Sequence, residues 1–538
     1  MASRTLVRAV QDLPHRSRLA LRTIEVAEAG RAGQADRALD LFEAMPVKNQ
    51  VAWNAALAAL VDAGRTDWAL SFFREMPRRN ATSYTTMIGG LSRAGGAAAA
   101  GARVLLEELP LDQHNVFTWT AMISCHVRNG EPGKAVELFV AFYGEFFARG
   151  MLPNAHTFSS LLKACVGVRL LAMALQLHAV IVKLVGEGSR HCFVWNALID
   201  AHAKLGALSD AEKVFYWMQN RDICSWNIMM DGYSRHKLVD KALDLFRMTR
   251  EKDTFTWNII ISCLGENHHG EGALRLFIDL VRLDGHCGGN AKLNASTYTT
   301  VLHICSVLTL LAFGRQVHAR SVKDGIGQTQ SNVSVSNSLL SMYTSCGAML
   351  DLEQVFEEMT VRDMISWNSV IQGLGQNGLG RQALAFAERA LELKMYNSNT
   401  FIAILTSCSH SGLVTEGLGY FDSMAEKHGV EPTLHHYISV IDLLGRAGRL
   451  EEAYDLIRKM PFAPNAVAWR TLLHSCLAHK NSVMGSTAVQ ELRALQPGGG
   501  GGNYERLVQG CGGSSMADET LIANEKGADH TPGCTWLT

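Results

Sequence analysis

The chain has 538 residues, 47% of them hydrophobic and 19% charged, and a net charge of −1. That length exceeds what one compact core serves, yet no break in composition divides it into ordinary domains. A near-zero net charge excludes a global basic field for polyanions, so any nucleic-acid groove must be local, and no apolar run is long enough to span a bilayer.

The 12 cysteines are scattered without a single Cys-x-x-Cys pair. This argues against a zinc site or a disulfide framework and suits buried thiols in a reducing compartment. At the N-terminus, Arg4, Arg8, Arg16, Arg18 and Arg22 face a single acid, Asp12, with Leu6, Val7 and Val10 as an apolar face. Residues 1–18 therefore read as an organellar transit peptide, and the arginines favour the mitochondrion over the chloroplast.

From Leu19 onward one unit recurs. Its clearest copies are Cys192–Asp222 and Ile223–Asp253, each 31 residues long, with Trp195 over Trp226, Asn196 over Asn227, and Phe215 over Phe246. Each copy holds two amphipathic helical patterns separated by a turn. Such a hairpin cannot cover its own apolar face; stacking on its neighbours does. The sequence thus predicts an all-α fold, an α-solenoid superhelix of about 13 helix-turn-helix repeats. Units are expected to begin at Leu19, Gln50, Ala81, Val116, Ala155, Cys192, Ile223, Thr254, Ala295, Val333, Met364, Ser398 and Leu434. An interhelix glycine recurs at Gly33, Gly64, Gly95, Gly130, Gly206, Gly347, Gly378, Gly412 and Gly448, where a residue free to adopt positive φ ends the first helix. Lys237 and His268 replace it in two units, and Ala387 stands where the second helix normally has phenylalanine.

The phrases AWNAALAAL, SWNSVIQGLGQNG, LTSCSHSGLVTEGLGYFDSM and HYISVIDLLGRAGRLEEAYDLIRKMPF resemble plant pentatricopeptide-repeat proteins. Unequal unit lengths, with ALQLHAVIVK and GRQVHARSVK as variant second helices, resemble the PLS subclass, which mixes long, short and standard repeats. On this resemblance, residues 19–465 form the repeat array. Residues 466–497 resemble the first E-type extension motif of organellar RNA-editing factors. Residues 498–538 hold a Gly-rich linker and a degenerate second extension, whose opening survives as Asn503 and Tyr504 and whose end survives as PGCTWLT. Relatives that carry a catalytic DYW deaminase domain continue beyond this point, so the chain is expected not to be an enzyme and to use no cofactor.

The resemblance assigns base reading to the fifth and last residues of each unit, both at the concave edge. The pairs are Thr23 with Asn49, Asn54 with Asn80, Thr85 with Asn115, Thr120 with Asn154, Asn196 with Asp222, Asn227 with Asp253, Asn258 with Asn294, Asn337 with Asp363, and Asn368 with Asn397. An ionised Asp only accepts hydrogen bonds, which suits the imino N–H of uracil or guanine, whereas the Asn amide can donate to the ring nitrogen of cytosine or adenine. Second residues Val51, Phe117, Phe193, Phe255 and Ile365 are candidates to wedge between bases, where stacking is worth roughly 1–3 kcal/mol per base. Capping is the competing reading of every Asn, Thr and Asp beside a helix start. Nine pairs in fixed register are hard to obtain from capping alone. Ser159 with His191, Thr299 with Asn332, Ile402 with Thr433, and Ile438 with Asn465 make weak or atypical readers. The series Trp53, Trp119, Trp226, Trp257 and Trp367 reads as core packing.

His269-Gly270-Glu271 matches half of a zinc-deaminase signature, but no Cys-x-x-Cys completes it. His178 and His318 share one slot in the two variant units, and His435 and His436 lack a third ligand at metal spacing, so no metal is expected. The expected function is sequence-specific binding of single-stranded organellar RNA for C-to-U editing. A DYW-type deaminase protein and multiple organellar editing factors would act in trans, with no membrane and no small-molecule substrate. The alternatives are a non-editing factor for transcript stabilisation, splicing or translation, and a tetratricopeptide-like protein-binding scaffold. A protein-binding groove has no reason to confine these positions to Asn, Thr and Asp.

Overall fold

The computed structural model describes residues 15–95, 97–110, 113–148, 150–185, 191–284, 292–326 and 332–495. The expected transit segment up to residue 14, and the Gly-rich and degenerate stretch 496–538, lie outside the described residues. Among the described residues there are 28 α-helices, from His15–Arg31 to Ser482–Leu495. They pair as first and second helices of successive hairpins and form an α-solenoid, with no strand among the described residues. Two compact units, residues 1–263 and 264–538, divide the chain.

Twelve first helices, from Gln50 to Leu434, begin at the residue where the sequence places a unit start. The first begins at His15 rather than Leu19, inside the segment expected to be a transit peptide. Among the described residues one hairpin more than the expected thirteen is present, made by Ala466–Ala478 and Ser482–Leu495, in the stretch expected to be an extension motif.

The unit Ile223–Asp253 shows how the sequence builds a hairpin. Asp222 caps the first helix, Ile223–Arg235, by accepting from the Ser225 backbone N–H at 2.8 Å. The stripe Asn227, Met229, Met230, Tyr233 is buried. The second helix, Val239–Met248, buries Ala242, Leu245 and Phe246 against it. In four units the residue that leaves the second helix is extended and apolar. Met76, Met218, Met359 and Met460 lie there, each at most 7% exposed, so the turn itself joins the core.

Successive first helices approach closely through small residues. A Cβ on Gly90 would meet Val61 at 2.8 Å, and one on Gly232 would meet Ala203 at 3.1 Å. In the second unit, one on Gly375 would collide with Ser407. Hairpin is joined to hairpin by an aromatic pair. Phe42 meets Trp53 at 4.8 Å, Phe73 meets Tyr84 at 5.1 Å, Phe215 meets Trp226 at 5.2 Å, and Phe246 meets Trp257 at 4.9 Å, all near edge-to-face. Phe356 and Trp367 repeat the pair at 4.8 Å in the second unit. Trp119, Trp257 and Trp367 are buried, and Trp53 and Trp226 are half-buried. Ala387, in the phenylalanine slot, is fully buried, and there Tyr396 faces Phe401 at 6.0 Å instead.

The nine interhelix glycines all have positive φ, between 68° and 88°. Lys237 and His268 adopt the same conformation without being glycine, at 59° and 65°. The turn demands the left-handed region whichever residue occupies it, and a side chain there costs roughly 1–2 kcal/mol. Lys237→Gly should therefore raise the thermal midpoint. The gain is expected to be about 0.5–1 kcal/mol after the larger unfolded-state entropy of glycine is subtracted. A lowered midpoint would show that the Lys237 side chain stabilises the turn by more than the strain it carries.

Candidate functional site

The last residue of each of the nine pairs is the N-cap of the next first helix. In every one, Oδ1 accepts the backbone N–H three residues on. The distances run from 2.7 Å at Asn49 to 3.1 Å at Asn115 and Asn397. His191 and Asn332, last residues of the units set apart as atypical, make no such side-chain cap; Asn465 does. Capping and reading are therefore not alternatives, because the cap uses only one end of the side chain.

Consider what that leaves. A backbone N–H can be met only by an oxygen, so in Asn80, Asn115, Asn154, Asn294 and Asn397 the amide is turned with Oδ1 toward the helix. The NH₂ group is then the outward end. In Asp222 and Asp253 the described hydrogen bonds converge on Oδ1, and Oδ2 is the outward end. The same cap thus presents a donor when the residue is Asn and an acceptor when it is Asp. One backbone geometry thus holds either of two opposite hydrogen-bonding ends.

The fifth residues lie beside these caps. Asn196 Nδ2 donates to Asp222 Oδ1 at 3.1 Å, Asn227 Nδ2 to Asp253 Oδ1 at 3.4 Å, and Asn337 Nδ2 to Asp363 Oδ1 at 3.2 Å. Asn54 Nδ2 does the same to Asn80 Oδ1 at 3.3 Å. Each amide keeps a second hydrogen. Asn196 and Asn227 are only 5% and 3% exposed, so they form the floor of the site while the last residue stands at its edge. The threonines behave differently. Thr23, Thr85 and Thr120 donate to the carbonyl one turn back, of Leu19, Ala81 and Val116, at 2.8, 2.7 and 2.6 Å. What remains of their hydroxyls is acceptor capacity, which in Thr120 meets Thr157 Oγ1 at 2.7 Å. Asn258 lies on Thr254–Glu266, and Asn368 carries an Oδ1 that is buried without a hydrogen-bond partner among the described residues.

Val51, Phe117, Phe255 and Ile365 are 61–66% exposed one position after a helix start. Phe193 is 37% exposed and stacks on His156 of the preceding hairpin, with centroids 4.8 Å apart.

Two further sets of residues shape the site and are not singled out by the sequence. The residue before the last is basic in five units. Lys48, Arg79, Arg221, Lys252 and Arg362 each lie 4.8–5.2 Å from the ring centroid of the packing phenylalanine six positions earlier. Arg221 also donates to the carbonyls of Phe215 and Tyr216, and Arg362 to those of Phe356 and Glu357, which satisfies the end of the second helix. Their charge is used on the fold, beside the capping residues. The signal was a basic residue at a fixed offset from each phenylalanine. The second set is the buried hydroxyl three residues after the cap: Ser225, Thr256 and Ser366.

Burial raises the pKa of Asp222, Asp253 and Asp363. Hydrogen bonds from Ser225, Thr256 and Ser366, and from the neighbouring Asn amides, outweigh it and hold all three below the ordinary 3.8. They are ionised, and so acceptor-only, at neutral pH.

Other histidines are absorbed by packing. His178 and His202 face one another at 3.2 Å, His318 meets the Tyr343 hydroxyl at 2.8 Å, and buried His436 accepts from the Thr433 N–H at 3.0 Å. His269-Gly270-Glu271 spans the turn into Gly270–Asp284. Among the described residues no group of three His, Cys, Asp or Glu side chains could hold a metal ion, and no helix is long and apolar enough to cross a membrane.

A profile described as the PPR repeat matches residues 51–80, 193–223, 224–253, 255–284, 334–364, 365–392, 400–428 and 435–462, and one described as the PPR repeat family matches 114–167. A pentatricopeptide repeat-containing protein of Arabidopsis thaliana, named as mitochondrial, is 33% identical over 442 residues, covering 81% of this chain and 61% of the relative. One from the same plant, named as chloroplastic, is 30% identical over 430 residues, covering 78% and 44%. The chain thus spans about half the length of these relatives. The crystal structure of the pentatricopeptide repeat protein PPR10 from maize superposes with a TM-score of 0.51 at 18% identity, covering 96% of this chain and 80% of that one.

A group whose pKa is depressed by folding stabilises the fold above its unfolded pKa and loses that contribution as pH falls through the folded value. The triple variant Asp222→Asn, Asp253→Asn, Asp363→Asn should therefore fold, since Asn makes the same cap elsewhere in this chain. It should be less stable than the parent at pH 7, and the gap should close as pH falls below 3.8. Urea midpoints across that range test it; a gap that does not change with pH would show that the carboxylates are not held by these bonds.

Proposed function

Because the chain belongs to the pentatricopeptide repeat family, we propose that it is a sequence-specific single-stranded RNA-binding protein of a plant organelle that selects sites for C-to-U editing. The observation that carries this reading is the cap that offers an outward carboxylate oxygen in some units and an outward amide in others. An outward acceptor matches the imino N–H of uracil; an outward donor matches the ring nitrogen of cytosine or adenine. Fifth-position Asn leaves room for a pyrimidine, and the shorter Thr admits a purine. With N-terminal units toward the 5′ end, the pairs propose A, C, A, A, any, U, U, C, any, U, C, then two weak positions. Exposed Val51, Phe117, Phe255 and Ile365 supply apolar surface for the faces of unstacked bases. The organelle reading is supported by the transit-like composition of residues 1–18 and by relatives named for mitochondrion or chloroplast. The deaminase would come in trans, recruited through residues 466–538.

A second reading, an organellar RNA factor without an editing role, is favoured by one observation. Between Asn503 and PGCTWLT the sequence GCGGSSMADETLIANEKGADH lacks the apolar periodicity of an extension helix. Deleting residues 466–538 separates the two readings. Loss of editing with RNA affinity retained supports the adaptor, and full complementation of a mutant plant removes that role.

Bases must be splayed to be read, so single-stranded RNA should bind far better than duplex in a gel shift. Equal affinity would contradict base reading. For the readout itself, the double variant Asp222→Asn with Asp253→Asn should shift preference from UU toward CC at two adjacent bases. Good contacts of this kind discriminate by roughly 1–3 kcal/mol per base in the better-measured DNA case. An unchanged UU:CC ratio would leave these residues as caps alone.

A further inference from the structure

Each Asn–Asp pair carries a third partner that neither the fifth nor the last position contains. Ser225 Oγ lies 2.7 Å from Asn196 Oδ1 and 2.8 Å from Asp222 Oδ1. Thr256 Oγ1 lies 2.8 Å from Asn227 Oδ1 and 2.7 Å from Asp253 Oδ1. In the second unit, Ser366 Oγ lies 2.7 Å from Asn337 Oδ1 and 2.9 Å from Asp363 Oδ1. All three hydroxyls belong to the first helix of the following hairpin and are fully buried.

A hydroxyl at this position also bridges a Thr–Asn pair: Thr157 Oγ1 lies 2.7 Å from Thr120 Oγ1 and 3.1 Å from Asn154 Oδ1. In the Asn54–Asn80 pair, Ser83 Oγ donates to the Asn80 backbone carbonyl at 2.8 Å, and Asn54 Oδ1 accepts from Gln50 at 3.3 Å instead. At the Asn115 cap, Thr118 Oγ1 likewise donates to the Asn115 carbonyl at 2.8 Å. The capping role of the third-position hydroxyl is therefore general, whereas its contact with the fifth residue is made at some unit boundaries, all three Asn–Asp pairs among them.

We propose that Ser225, Thr256 and Ser366 are positioning residues for base readout, each fixing the orientation of the Asn–Asp pair of the preceding unit. The proposal rests on the base-reading function above. Its physical ground is the burial of the fifth residue. Asn196 is 5% exposed, and its Oδ1 takes its hydrogen bond from Ser225. Without the hydroxyl that oxygen is a buried acceptor with no donor, a costly state that the amide relieves by turning. Turning carries Nδ2 away from Asp222 Oδ1, and the carboxylate loses the partner that sets its plane. The pair still exists, but the angle at which Oδ2 meets a base is no longer fixed.

The spatial offset makes the test sharp. Ser225 belongs to the hairpin Ile223–Asp253, which reads the seventh base of the proposed target, but it touches the pair of Cys192–Asp222, which reads the sixth. Fluorescence anisotropy on the full chain, with single-stranded target RNAs carrying U or C at the sixth or the seventh base, gives the four affinities. Ser225→Ala should lower the U-over-C preference at the sixth base by roughly threefold to tenfold and leave that at the seventh unchanged. Ser225→Thr should keep both preferences, because Thr256 makes the same bridge in the next unit. Thr118→Ala removes a capping hydroxyl that makes no bridge; it should lower stability and leave every preference intact. Asp222→Asn, on the same RNAs, reports on base reading itself. If Asp222→Asn moves the sixth-base preference while Ser225→Ala does not, the positioning role is wrong and base reading stands. If Ser225→Ala lowers both preferences together with the thermal midpoint, the hydroxyl is a structural cap only and the proposal is likewise overturned. If Asp222→Asn moves nothing, base reading fails and the positioning role falls with it.

Discussion

The fold depends on an edge-to-face contact between the phenylalanine that closes one hairpin and the Trp or Tyr that opens the next. A helical hairpin has too little apolar surface to be stable alone, so the joint between hairpins must supply most of the order. The pairs Phe42–Trp53, Phe215–Trp226, Phe246–Trp257 and Phe356–Trp367 meet at 4.8–5.2 Å. A basic residue packs on the phenylalanine of each, and Arg221, Lys252 and Arg362 also donate to carbonyls at the end of the second helix. The loop is thereby held between an aromatic ring and a helix end. Its next residue, the Asn or Asp at the cap, has almost no freedom in where its side chain begins.

From that constraint the site follows. Once the loop is fixed, the capping oxygen is fixed by the helix N-terminus, and the opposite end of a planar group can point only one way. The fifth residue, one helical turn inside, meets the cap of the following helix because first helices approach through Gly, Ala and Ser rather than through larger side chains. Close approach at Gly90 and Gly232 is thus part of how the fifth and last residues are brought within hydrogen-bond reach of each other, even though neither glycine touches them.

Much of this was legible in the sequence because each feature has a local cause. Unit starts were visible as Asn or Asp before an apolar stripe, and the helix breaks as glycines that adopt positive φ. Lys237 and His268 stood out as departures, but only the backbone shows that they occupy the same strained conformation as the glycines they replace. What stayed hidden spans hairpins. Ser225 meets Asn196 across 29 residues, and Arg221 closes on Phe215 around the end of a helix, where no regular period applies. The first helix reaches back to His15 because Leu19 begins the matching stripe rather than the hydrogen-bonded turn. The candidate site was legible only as a register of Asn, Thr and Asp. The reason the register matters, one end of the group committed and the other available, is a matter of three-dimensional hydrogen bonding.

The cap at each unit boundary asks only for an oxygen, and Asn and Asp both supply it. Exchanging one for the other keeps the hairpin at a modest cost in stability, while the hydrogen-bonding character of the outer end is reversed. The codons of Asn and Asp differ by one transition at the first base. A lineage carrying this architecture can exchange donor for acceptor at one boundary in a single mutational step, with the hairpins on either side unaltered. If the outer ends read bases as proposed, preferences can follow a drifting RNA sequence one position at a time, with a folded protein at every step.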